Sequence, residues 1–241
     1  MTTPAPWLQT LRLDFREFVA GDFDDVWRLD QDPAVMRYIR NGKLSSRAEI
    51  AASMKRIPRV YRLYPGFGTW RASRRDTGAY IGWFTFKYIP DTVEVEVGYR
   101  LLREAWGQGF ATEGATELVR YGFDTVGLHR IVGITHPDNT ASQNVLMKAG
   151  LAKAGWGKYY GQRLRVFAAR NPNPCRSSAR SGVRSRAAVS FRSTRRCCSR
   201  TRSAATGRGS QRTRAISFRA RKARIFLRLR SAGATASRLP I

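Results

Sequence analysis

Leu11, Leu13 and Phe15 alternate with Arg12, Asp14 and Arg16 within residues 11–18, a period of two that predicts a strand buried on one face. The spacing then changes. Phe23, Val26 and Trp27 fall on one side of a helix with Asp22 as candidate N-cap, and Ser46 with Glu49 makes a capping box for a second helix. That helix should reach Ile57 and end at Pro58. Alternation returns in residues 68–73 and 79–89, joined by the turn-like RRDTG. It is clearest in residues 92–101, where Val93, Val95 and Val97 face one way and Glu94 and Glu96 the other. From 110 to 124 the period is helical, with Ala111, Ala115, Leu118, Val119 and Gly122 stacked on one side. Residues 129–135 read as a strand, 139–150 as a capped helix closed by Gly150, and 151–160 with 163–169 as a last pair of strands. The pattern predicts an α/β protein: a mixed, mostly antiparallel sheet of about six or seven strands around one parallel pair, with flanking helices.

Charge divides the chain near Asn171. All 17 acidic residues and 25 of the 44 basic ones precede it, so the first 170 residues carry +8 and the last 71 carry +19. Every Trp and Tyr also lies in 1–170, a normal size for one core-forming domain. Residues 171–241 hold 18 Arg, one Lys and 12 Ser, cannot bury a core, and should be disordered. Two readings of this tail are open. It is an arginine-rich arm that neutralises nucleic-acid phosphates, or it is a GC-rich gene read out of frame after a slip between about 160 and 175. The near absence of lysine suits the second. Nucleic acid is expected as a partner only through the tail.

All three cysteines (Cys175, Cys197 and Cys198) lie in the tail, so the domain has no thiolate nucleophile and no cysteine metal site. The two histidines, His129 and His136, have no carboxylate at metal-ligand spacing, so no metal is expected. No signal peptide or apolar span is visible, which points to a cytoplasmic protein without a membrane partner. Monomer and homodimer stay open.

Residues 105–114, AWGQGFATEG, place three glycines in ten positions at the start of a helix. A helix N-terminus offers unpaired N–H groups and the positive end of the helix dipole, and glycine lets a phosphate reach them. No Walker lysine follows, and Thr112 occupies the last glycine position of the dinucleotide pattern. The loop fits a diphosphate held by amides; glycines kept only for tight packing are the alternative.

These residues carry a resemblance. VEVGYRLLREAWGQGFATEGATELVRYGF followed by HRIVGITHPDNTASQNVLMKAGL resembles the GCN5-related N-acetyltransferase superfamily, and within it the branch of the ribosomal-protein alanine acetyltransferases. It covers about residues 10–165 and implies that fold, acetyl-CoA as donor and an amine as acceptor. By the resemblance, the backbone of Gly107, Gln108, Gly109, Phe110, Ala111 and Thr112 holds the diphosphate, and Tyr99 to Leu101 run beside the pantetheine arm. Asn139 and Ser142 make polar contacts to the cofactor. Trp106 departs from the Gln or Arg that opens this loop in the family.

An amine attacking a thioester must lose a proton, and the resulting oxyanion needs a donor. Without a core cysteine or a GxSxG elbow, direct transfer in a ternary complex is the simpler route. Glu96 matches the acidic position of the family's EIGY pattern and is the candidate base, with Glu94 on the same face; two glutamates that merely solvate a strand are the alternative. Ser142, Tyr159 and Tyr160 are candidates to protonate the leaving thiolate, with cofactor binding favoured for Ser142 and strand packing for the tyrosines. The acceptor, a protein N-terminus or a small-molecule amine, is expected between residues 30–43 and the aromatic residues Trp70, Trp83, Phe84 and Phe86. Arg37, Arg40 and Lys43 would suit an acidic partner or a solvated loop. An idle acetyl-CoA-binding relative and a nucleic-acid-binding protein are the rival classes.

Overall fold

A computed structural model of the chain describes residues 4–172. The two readings of 171–241, arm or frame slip, concern residues outside the described ones apart from 171 and 172. Eight strands form one sheet: β1 (Leu8–Gln9), β2 (Leu13–Arg16), β3 (Gly68–Arg74), β4 (Tyr80–Tyr88), β5 (Val95–Leu101), β6 (Arg130–Thr135), β7 (Ala152–Tyr159) and β8 (Gln162–Arg170). Their order is β1-β2-β3-β4-β5-β6-β8-β7. Every neighbouring pair is antiparallel except β5 and β6. The expected one parallel pair is there, whereas six or seven strands was too few. The additional strand is β1, whose two residues are too short to show a period. β8 is complete through Arg170 and pairs with all six residues of β6.

Five helices flank the sheet: α1 (Phe23–Asp30), α2 (Pro33–Met36), α3 (Arg47–Leu63), α4 (Phe110–Asp124) and α5 (Thr140–Lys148). The main core lies on the α4 side, where Phe15, Trp70, Phe84, Phe86, Val95, Val97 and Ile131 meet Phe110, Ala115, Leu118 and Val119. α4 seats closely because Gly114 and Gly122 have no side chain; a Cβ at either would overlap the rings of Phe84 or Phe86. On the opposite face, Leu29 of α1 and Val35 of α2 pack with Tyr80, Leu102 and Trp83.

Three local expectations need correction. α3 does not stop at Pro58 but continues to Leu63. A proline inside a helix costs about 3 kcal/mol, and the last turn is anchored against that cost. Tyr61 is buried, stacks on Trp70 at 4.7 Å, accepts from the Phe18 amide and donates to the Thr69 carbonyl. Asp22 precedes α1 but does not cap it with its side chain; its carboxylate is taken by Arg16, Arg71 and the Val19 amide. β5 begins at Val95 rather than Thr92, and Val93 is 71% exposed. The preceding residues form a turn in which Thr92 donates its amide to Ile89 and Asp91 has φ 61°.

Candidate active site

β5 and β6 run parallel but share a single registered pair, Glu96 with Val132. Beyond it β5 follows β4 to Leu101 while β6 follows β8 to Thr135, so the sheet opens between them. Three groups of residues border this gap.

The first is the glycine loop. Gly107 (φ 74°) and Gly109 (φ 81°) are left-handed, and Gly109 is the N-cap of α4. A Cβ at Gly107 would meet nothing within 4 Å, so this glycine is not a packing device. The packing reading of the loop belongs instead to Gly114. Among the described residues, no amide of 107–112 donates to a backbone carbonyl, and the first backbone bond is from Glu113 to Gly109. These are the donors a diphosphate needs, so the residues present fit the group the resemblance implies. Arg12 was not read from the sequence. Its guanidinium donates to the Gln108 carbonyl at 3.0 Å, pairs with Glu113 at 2.7 Å and lies 4.5 Å over the Phe110 ring, tying β2 to the loop. Nothing in its alternating strand context distinguishes it from Arg16. Trp106, the departure from the family pattern, donates its indole N–H to the Leu101 carbonyl at 2.9 Å, holding the loop to the end of β5.

The second group lies on the α5 side. Asn139 accepts from the Ser142 amide at 3.0 Å, which makes its Oδ1 a helix cap. The Tyr99 hydroxyl lies 3.1 Å from both the Ser142 carbonyl and its Oγ. Burial pushes the Tyr99 hydroxyl well above the usual tyrosine range, partly offset by Ser142, so this phenol stays protonated.

The third group is on the other face. Glu96 does not solvate an exposed strand: it is 8% exposed, accepts from the Tyr160 hydroxyl, and sits across the β4–β5 register from Lys87. Burial raises its carboxyl above the usual range, while Lys87 and the Tyr160 bond pull it back without cancelling the rise. Glu94 is bound by Arg130 and by Tyr159 at 2.7 Å. The two tyrosines therefore hold glutamates rather than merely packing a strand. Further along this face, Arg100 is buried, pairs with Asp30 of α1, and lies 4.8 Å over Trp83. Ser45 donates to the same carboxylate at 2.7 Å.

The expected acceptor wall is corrected on this evidence. Trp70, Phe84 and Phe86 are buried in the α4-side core, and only Trp83 of that set faces the side of Glu96 and Arg100. Arg40 is paired with Glu49, and Arg37 stacks on Tyr38, which itself stacks on His136 at 5.3 Å. A groove of about 790 Å³ between α4 and the β7–β8 pair is lined by Val119, Phe123, Arg130, Ala152, Ala168 and Arg170 among others, with no carboxylate among the described residues that line it. Among the described residues no cluster suits a metal ion, and no helix is long and apolar enough to cross a membrane.

Sheet order, the opened parallel pair and the helix that starts beside it define an acyl-CoA N-acyltransferase fold. The family model described as an acetyltransferase (GNAT) domain matches residues 12–152. The chain belongs to the GNAT acetyltransferase family and is an acetyltransferase. It is similar to the FsC-acetyl coenzyme A-N(2)-transacetylase of Aspergillus fumigatus, 32% identical over 154 residues that span 61% of this chain and 65% of that protein, less than two thirds of its length. A solved acetyltransferase from Agrobacterium tumefaciens shares the fold with a TM-score of 0.61 at 22% identity, over 70% of this chain and 97% of the other. The spermidine N-acetyltransferase of Vibrio cholerae, solved in complex with coenzyme A and spermine, does so with a TM-score of 0.54 at 17% identity, over 67% and 97%.

Proposed function

We propose that the chain moves an acetyl group from acetyl-CoA to a primary amine, a protein N-terminus or a small-molecule amine, by direct transfer. A cytoplasmic location and an acetyltransferase domain within residues 1–170 go with this reading. The carrying observation is the gap between β5 and β6, with free amides at its mouth, Ser142 with Tyr99 on one face and buried Glu96 on the other. Bound there, acetyl-CoA supplies the activated acetyl group.

The amides of Gly107, Gln108, Gly109, Phe110, Ala111 and Thr112 take the diphosphate, and Tyr99 to Leu101 flank the pantetheine arm. Glu96, with proton affinity raised by burial, accepts the amine's proton directly or through a water. Ser142 donates toward the leaving sulfur, and the Tyr99 hydroxyl, bonded to Ser142, fixes where that donor points. Ser142 and Asn139 also contact the cofactor in this reading, Asn139 through the amide nitrogen its capping bond leaves over. The nucleic-acid reading rests on the tail alone and gains no support from the described residues.

The test is CoA release from acetyl-CoA with spermidine or a peptide bearing a free N-terminus, for the wild type and Glu96→Gln from pH 6 to 9. Loss of a general base costs roughly 10²–10⁴-fold. That loss is expected at neutral pH and should shrink as alkaline pH deprotonates the amine itself. Equal rates at every pH would remove Glu96 from the mechanism.

A further inference from the structure

Tyr160 holds a backbone conformation that its side chain resists. β7 and β8 are joined by two residues, Tyr160 and Gly161, closed by the Tyr159–Gln162 pair. Both are left-handed, with φ 53° and 79°. This turn suits the twist of a hairpin, and asparagine, aspartate or glycine normally fills its first position. A bulky residue there is an outlier and points to a use for its side chain. The phenol reaches back over the sheet, donates to Oε2 of Glu96, and lies with its ring 5.7 Å from Lys87 Nζ beside the apolar group of Ile89, Val132 and Val166. The other oxygen, Oε1, has no hydrogen bond among the described residues and lies on the Gly98 side, 3.7 Å from where a Cβ there would be. Gly98 is on the part of β5 that borders the gap.

We propose that Tyr160 is the positioning residue of the base: the left-handed turn delivers its hydroxyl to one oxygen of Glu96, and the other oxygen is thereby kept turned toward the gap between β5 and β6. The inference rests on the reading of Glu96 as the base. The charged and titratable groups around Glu96 are Lys87 from β4, Tyr160 from the turn, and Glu94 on its own strand, which is paired with Arg130 of β6 and accepts from Tyr159. A phenol that donates to the ionised carboxylate favours that form, so removing the hydroxyl must raise the pH at which Glu96 titrates.

The experiment uses the full chain with ¹³Cδ-labelled glutamate and follows each carboxyl by NMR against pH; the resonance missing in Glu96→Gln identifies Glu96. Tyr160→Phe keeps the ring and should move the Glu96 midpoint up by about one pH unit. Tyr160→Asn suits the left-handed backbone, so it should hold or raise Tm while losing the same restraint. A Glu96 midpoint identical in the wild type and both variants would overturn the proposal. CoA release with spermidine, measured alongside, separates the two readings. An unmoved midpoint with a large Glu96→Gln loss refutes the positioning role and leaves the base. A moved midpoint with full Glu96→Gln turnover refutes the base and leaves the hydrogen bond as a structural one.

Discussion

An added methyl at Gly114 would overlap the Phe84 ring and stand 3.1 Å from Phe15, whereas at Gly107 nothing lies within 4 Å. Gly114→Ala should therefore lower stability by about 1–3 kcal/mol through overpacking, read as a fall in Tm of several degrees. Its affinity for acetyl-CoA should stay near that of the wild type. Asp22 gives a second prediction. Burial works against its charge, but Arg16, the Val19 amide and Arg71 together hold its carboxyl below the usual range. A carboxyl depressed in the folded state adds stability above its unfolded pKa, and that stability is lost as pH falls through the folded value. Asp22→Ala leaves Arg16 without its carboxylate, while Arg71 keeps Asp25, and should cost about 3 kcal/mol at pH 7. In urea unfolding the gap from wild type should narrow as pH drops below about 4; a constant gap would show that Asp22 contributes by packing alone.

At the level of elements, legibility followed the number of residues that repeat a period. β2, β4, α4 and α5 each show enough turns or alternations to declare themselves, and the capping box of Ser46 and Glu49 is present as read, with Ser46 accepting at 3.2 Å and Glu49 at 2.7 Å. Where one residue type argued alone, the contacts of its neighbours overruled it. Pro58 was outweighed by Tyr61, and Val93 was drawn out of its alternation by the turn before β5. The site shows the same division. The glycine loop and the acid on β5 are local patterns, and both lie at the gap. Tyr160 with Glu96, Arg12 with Gln108, and Arg100 with Asp30 join residues 64, 96 and 70 positions apart, and only strand order brings them together.

For the whole molecule, the strands among the described residues end at Arg170: β6 pairs with β8 over residues 165–170 and β7 over 162–168, and Asn171 donates its amide to the His129 carbonyl. The break in charge falls at the same residue. A chain ending at residue 172 should then unfold with the Tm of the full chain to within a few degrees and keep its affinity for acetyl-CoA. A chain that ends there and fails to fold would mean that the arginine-rich segment contributes to the domain.

The measurement that bears most directly on the account compares acetyl-CoA with S-acetylpantetheine, which lacks the diphosphate, by calorimetric titration of the wild type and Gly107→Ala. If the free amides of 107–112 take the diphosphate, the wild type binds acetyl-CoA far more tightly. Gly107→Ala, which puts a side chain at a left-handed position in the mouth of the loop, should erase most of that difference while leaving Tm within a few degrees. Equal affinity of the wild type for the two compounds would contradict the account, because the loop would then contribute nothing to holding the donor.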